Sequence, residues 1–136
     1  MRKNIKKTIF LLLVAFMVIA VPLSVLAESV QTGTVAGKSV RGTVSINGSG
    51  ASATTSISVA PNSGSSATVS LSYSYIDTRT NANQVTTVTA GANGNIAASA
   101  SRTKPNKDYY RSWRAKGTHK VTYSGQTWNA NTEVFY

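Results

Sequence analysis

The sequence predicts an all-β protein, an antiparallel β-sandwich of about seven or eight short strands that follows an N-terminal signal peptide. Three observations carry this. Small or apolar residues alternate with Ser and Thr at period two along nearly the whole chain after the signal peptide, the pattern of a sheet with one buried and one solvated face. Clusters of Gly, Asn, Pro and Ser break the alternation at roughly 8–12-residue intervals, as in sandwiches and barrels. No segment shows a 3.6-residue apolar period, so no sizeable helix is expected.

The leader comes first. Arg2, Lys3, Lys6 and Lys7 precede an unbroken apolar stretch at residues 9–21, then Pro22 and the exit Val25-Leu26-Ala27. A basic start, a short apolar run and a small-residue exit are the parts of a secretory signal. The 13 residues of the apolar stretch fall short of the roughly 20 that cross a bilayer. Residues 1–27 are therefore expected to be removed, leaving residues 28–136 as a single secreted β-sandwich domain. That domain has 109 residues, with ten basic against four acidic. Leu, Ile, Val and Phe make up only 16 of the 109, so the core is thin, and with no cysteine no disulfide offsets it.

The elements follow in order. Val40, Gly42, Val44 and Ile46 share one face, and Asn47-Gly48 supplies a hairpin turn. Ala51, Ala53, Thr55, Ile57 and Val59 form the next inner face, closed by Pro61-Asn62-Ser63-Gly64. The clearest strand sets Ala67, Val69, Leu71, Tyr73 and Tyr75 against Thr68, Ser70, Ser72 and Ser74. Residues 77–83 read as a loop. Residues 85–90 and 96–101 flank Gly91-Ala92-Asn93-Gly94 as a second hairpin, and residues 103–108 form a loop holding Pro105. The long run at residues 109–123 reads as two strands, or as one bent by a bulge at Gly117. Ser124-Gly125 then turns the chain into a last strand with Trp128, Ala130, Thr132, Val134 and Tyr136 on one side.

Charge is concentrated in one segment. Arg102, Lys104, Lys107, Arg111, Arg114, Lys116 and Lys120 face a single acid, Asp108, within residues 102–120. Elsewhere after the leader Lys38, Arg41 and Arg79 balance Glu28, Asp77 and Glu133. Alternation puts Arg114, Lys116 and Lys120 on one face with Tyr110 beside them. Such a stripe draws anionic partners; the plainer reading is solubility and protection of a sheet edge. Trp113, interleaved among the cations, joins the binding candidates, although Trp113 and Trp128 are both expected in the core. Tyr109, Tyr110 and Trp113 could stack bases. The expected partner is an anionic envelope polymer or membrane surface, then a glycan, with nucleic acid last because the chain is exported.

Catalytic chemistry is poorly supplied. His119 is the only histidine, and Glu28, Asp77, Asp108 and Glu133 are the only acids. Structural zinc wants Cys or several His, so no metal or cofactor is expected. The composition permits a triad with Asp77 or Asp108 orienting His119, but there is no G-x-S-x-G elbow. Four scattered acids do not suggest a facing glycosidase pair. Asn47-Gly48-Ser49 fits a glycosylation acceptor but sits in a predicted turn, and the leader looks bacterial.

In layout the chain resembles the small secreted proteins of Gram-positive bacteria. Gly117-Thr118-His119-Lys120-Val121 and the ending Val134-Phe135-Tyr136 are similar to the lactococcin 972 type of bacteriocin. The resemblance is one of layout and carries over no site residue. The expected function is a non-enzymatic cationic module, secreted or held at the cell surface. It would bind anionic envelope polymers or membrane through the basic aromatic stripe. A bacteriocin-like antibacterial protein is the alternative, and a structural matrix protein a further one.

Overall fold

The computed structural model describes residues 26–94 and 96–136; the expected leader lies outside these residues except for Leu26 and Ala27. Eight strands form two four-stranded antiparallel sheets. They are β1 (Ala27–Val35), β2 (Lys38–Asn47), β3 (Gly50–Ile57), β4 (Ser66–Asp77), β5 (Ala82–Asn93), β6 (Ala97–Thr103), β7 (Tyr110–Tyr123) and β8 (Gln126–Phe135). One sheet runs β1-β2-β3-β6 and the other β5-β4-β7-β8. The described residues contain no helix, and the fold is the all-β sandwich that the alternation predicts.

The inner faces meet in a core of small residues: Val40, Val44, Ile46, Ala53, Ala67, Val69, Leu71, Tyr73, Ala115 and Val121 are all buried. The outer faces are hydroxyl lattices. Ser45 meets Ser52 at 2.9 Å, Thr54 meets Ser99 at 3.2 Å and Thr122 meets Thr127 at 3.1 Å. Each such cross-strand pair adds some tenths of a kcal/mol, about 0.2–1, and the thin core leaves these sheets dependent on many of them.

Three features differ from the sequence reading. Strand β1, an edge strand, escapes the alternation test because its inward positions are Ser29, Gln31 and Gly33, its Val30 points outward, and only Val35 is fully buried. Residues 77–83 are not an open loop: β4 and β5 pair as far as Asp77 and Ala82. The turn between them is drawn tight by Asp77, which accepts from the Arg79 backbone N–H at 3.0 Å and from its guanidinium at 3.1 and 2.7 Å. The expected turn at residues 91–94 does not close a hairpin. Gly91, Ala92 and Asn93 continue β5 along β4, and the chain changes sheets between Asn93 and Ala97, where β6 joins β3. Gly and Asn mark a change of direction but not which sheet receives the next strand.

The hairpin turns also divide in an unexpected way. At Asn47-Gly48 the side chain does the closing: Asn47 Oδ1 accepts from Ser49 and Gly50 N–H at 2.8 and 3.0 Å. The left-handed two-residue turns are Ala36-Gly37 (φ +46° and +72°) and Ser124-Gly125 (φ +49° and +74°). An alanine at positive φ costs about 1 kcal/mol, and asparagine tolerates that region far better. Ala36→Asn should therefore stabilise the protein by roughly 0.5–1 kcal/mol, read as a higher urea midpoint at unchanged slope. A lower midpoint would contradict this turn geometry.

Candidate anion-binding face

Strand β7 positions most of the sequence-predicted residues, and one irregularity decides which way they point. Ser74 pairs with Arg114 and Tyr75 with Ser112, so Trp113 is the extra residue of a β-bulge. A bulge breaks the alternation of faces. Beyond it Ala115, Gly117, His119 and Val121 are buried while Lys116, Thr118 and Lys120 are exposed. Before it Ser112 is buried and Arg111 exposed. The bend thus lies at Trp113 and not at Gly117, and β7 is one strand.

Two expectations are corrected by that bulge. Trp113 is 42% exposed, because the extra residue turns it out of the core. Tyr110 is not beside Arg114, Lys116 and Lys120. It is half-buried, meets Tyr75 at 5.0 Å and Tyr109 at 4.7 Å between centroids, and belongs to an aromatic ladder that reaches buried Tyr73. The Arg79 guanidinium lies 3.4 Å from the Tyr109 ring centroid and caps the ladder. Trp128 lies nearer the expected place, half-buried and packed against the core.

The outer face of β7 is therefore a file of Arg111, Trp113, Arg114, Lys116, Thr118 and Lys120. At about 3.3 Å per residue the file is nearly 30 Å long. Its neighbours across β4 and β8 are Ser72, Ser70 and Thr68 on one side and Glu133, Asn131 and Asn129 on the other. Glu133 is the one acid in these rows. It pairs with Arg114 and, at 3.8 Å, with Lys116. Arg111 and Lys120 have no ion-pair partner among the described residues. A shallow depression of about 430 Å³ lies between the two strands, lined by Lys116, Gly117, Thr118, Asn131, Thr132 and Glu133.

The remaining predicted residues lie off this file. Arg102 lies next to the end of β6 in the other sheet and reaches the Thr87 carbonyl of β5 at 3.5 Å. Lys104 and Lys107 occupy the β6–β7 loop, where the Lys104 ammonium turns onto the Pro105 and Lys107 carbonyls. That loop nevertheless joins the end of the sandwich where β7 begins. Lys104 N–H donates to Ser49 O at 2.7 Å, Thr78 N–H to Tyr109 O at 2.8 Å and Tyr136 N–H to Trp113 O at 3.0 Å. Ser112 Oγ, accepting from Tyr73, donates to Asn47 O at 2.6 Å. Burial pushes the Tyr73 phenol up, against the lowering effect of Ser112, so it stays neutral as a donor.

A larger depression, about 650 Å³, opens on the outer face of the other sheet beside Thr32, Ser39, Arg41 and Ser56. Arg41 there stands 3.7 Å from Glu28, which leaves no net charge to attract an anion. The buried His119 ring is fully enclosed between Thr55 Oγ1 and Thr132 Oγ1, each at 2.7 Å. Neither Asp77 nor Asp108 is among its hydrogen-bond partners. No group of three metal-ligating side chains occurs among the described residues.

Fold and face together define a class: a small two-sheet β-sandwich with a basic row on the outer face of one central strand. No protein-family model matches the chain, and no curated protein matches its sequence.

Proposed function

We propose that the chain is an exported, non-enzymatic binding domain whose outer β7 face docks onto anionic polymers or surfaces of the cell envelope. The observation that supports this is the single file of Arg111, Arg114, Lys116 and Lys120 with Glu133 alone opposing it. A charge-neutral hydroxyl lattice surrounds the file, so the field is not cancelled by neighbours. Serine, threonine and asparagine beside the cations supply donors for phosphate or carboxylate oxygens.

Binding of this kind releases counterions and weakens steeply with salt. Four cations acting together should lose on the order of 50-fold in affinity between about 50 and 200 mM salt. Sedimentation with isolated cell walls across that range measures it. Binding that ignores salt, or no binding at low salt, would remove the reading. The antibacterial alternative draws on the exposed Trp113 and Phe135 beside the same cations. Killing of Gram-positive cells by the purified protein, lost on substitution of the cations, would favour it.

A further inference from the structure

Three aromatic rings stand at the end of the sandwich where β7 begins. Trp113 is 42% exposed, Phe135 54% and Tyr136 48%. Trp113 and Phe135 meet edge-on, with centroids 5.7 Å apart and ring planes at 73°. Tyr136 follows them, its backbone N–H on the Trp113 carbonyl and its hydroxyl beside Gly48 in the β2–β3 turn. Cations border the patch: Arg114 lies 5.6 Å from the Phe135 centroid, and exposed Arg111 precedes Trp113 on the same face.

A soluble polyanion would satisfy the cations but would leave these rings half in water. Stacked sugars or bases would want a coplanar platform, and rings at 73° form a wedge instead. A lipid headgroup layer suits both halves of the patch. Trp and Tyr prefer the membrane–water interface, and basic side chains gain from anionic headgroups within a Debye length.

We infer that the partner at this end is an anionic lipid bilayer, into whose interface Trp113 and Phe135 insert while Arg111 and Arg114 meet headgroup phosphates. The inference rests on the anion-binding reading of β7 and names the partner. Binding is reversible, because two rings bury far less than a spanning segment.

The test uses the processed chain with Trp128→Phe, which leaves Trp113 as its only tryptophan. Mixed phosphatidylglycerol–phosphatidylcholine vesicles should shift Trp113 emission to the blue, and brominated acyl chains should quench it; phosphatidylcholine alone should do neither. In the chain with native tryptophans, the double variant Trp113→Ala/Phe135→Ala should lower vesicle partitioning at least about tenfold. Its affinity for polyphosphate should stay within about twofold, since the cations remain. Polyphosphate binding with no vesicle binding or no quenching would overturn the bilayer inference and leave the anion reading standing. Absence of both kinds of binding would put the anion reading itself at fault. A blue shift that depends on protein concentration without lipid would assign the patch to a second copy of the chain and overturn the inference.

Discussion

Replacing His119 by alanine should destabilise the protein by about 4 kcal/mol, the largest loss expected from any one substitution. The ring is fully buried and spans the gap between the sheets, from Thr132 on β8 to Thr55 on β3. Both sheets are shaped around it. A Cβ on Gly42 would lie 2.5 Å from the ring's Cγ, and one on Gly117 would lie 2.6 Å from its Nε2. Alanine would leave a cavity of aromatic size, worth about 3–5 kcal/mol in other cores. It would also leave two threonine hydroxyls facing a void. His119→Phe keeps the volume but orphans the same hydroxyls, so its loss should be smaller, about 2 kcal/mol. Urea unfolding at neutral pH measures both. A loss under about 1 kcal/mol for alanine would mean that the ring does not hold the sheets together.

The same ring sets a pH dependence. Burial holds the His119 pKa below its ordinary 6.5. Between that lowered value and 6.5 the unfolded chain binds more protons than the folded one, so stability rises with pH across this window. It is complete above about 6.5 and falls as the pH drops below it, with a slope of at most about 1.4 kcal/mol per unit for this one proton. Asp77 acts in a separate, more acid range. The Arg79 guanidinium bonded to it holds its carboxyl below the usual 3.8, so its contribution is lost only as pH falls through that region. In His119→Phe the slope just below pH 6.5 should vanish while the more acid one persists.

The largest effect on binding should come from Arg111→Ala/Lys116→Ala/Lys120→Ala. About a fivefold loss for each cation near an anionic surface gives on the order of 100-fold for the three, with a shallower dependence on salt. All three side chains are exposed, so thermal stability should hardly move. Glu133→Gln should act in the opposite sense, because it frees Arg114 and Lys116 from their shared carboxylate. Lys38→Ala/Arg41→Ala removes charge from the other sheet and should leave binding unchanged. Equal losses from that control would mean that only net charge matters and not the file on β7.

The sheets were legible because the core is built from strict alternation. Ala67, Val69, Leu71 and Tyr73 point inward where the pattern says they should. The basic segment was legible too, since formal charge needs no structure. The faces of β7 were not. A bulge has no reliable signature when the extra residue is Trp113 and not a glycine, and it inverted every assignment on the N-terminal side. Topology was equally hidden: Gly91 and Gly94 signal a bend, but the sheet that β6 joins depends on which edge is open. The role of His119 left a faint trace in Gly42 and Gly117, two glycines within otherwise regular strands. Small residues there make room for a large neighbour, and only the fold shows that the neighbour is a histidine.

The central claim, that the anion-binding surface is the outer face of β7, is tested most directly by amide chemical shifts during titration with polyphosphate at low salt. The shifts should follow Arg111, Trp113, Arg114, Lys116, Thr118 and Lys120, together with Asn131 and Glu133 across the ladder. They should spare Thr32, Arg41 and Ser56 on the opposite sheet. Shifts centred on Arg41, or spread evenly over both sheets, would contradict it.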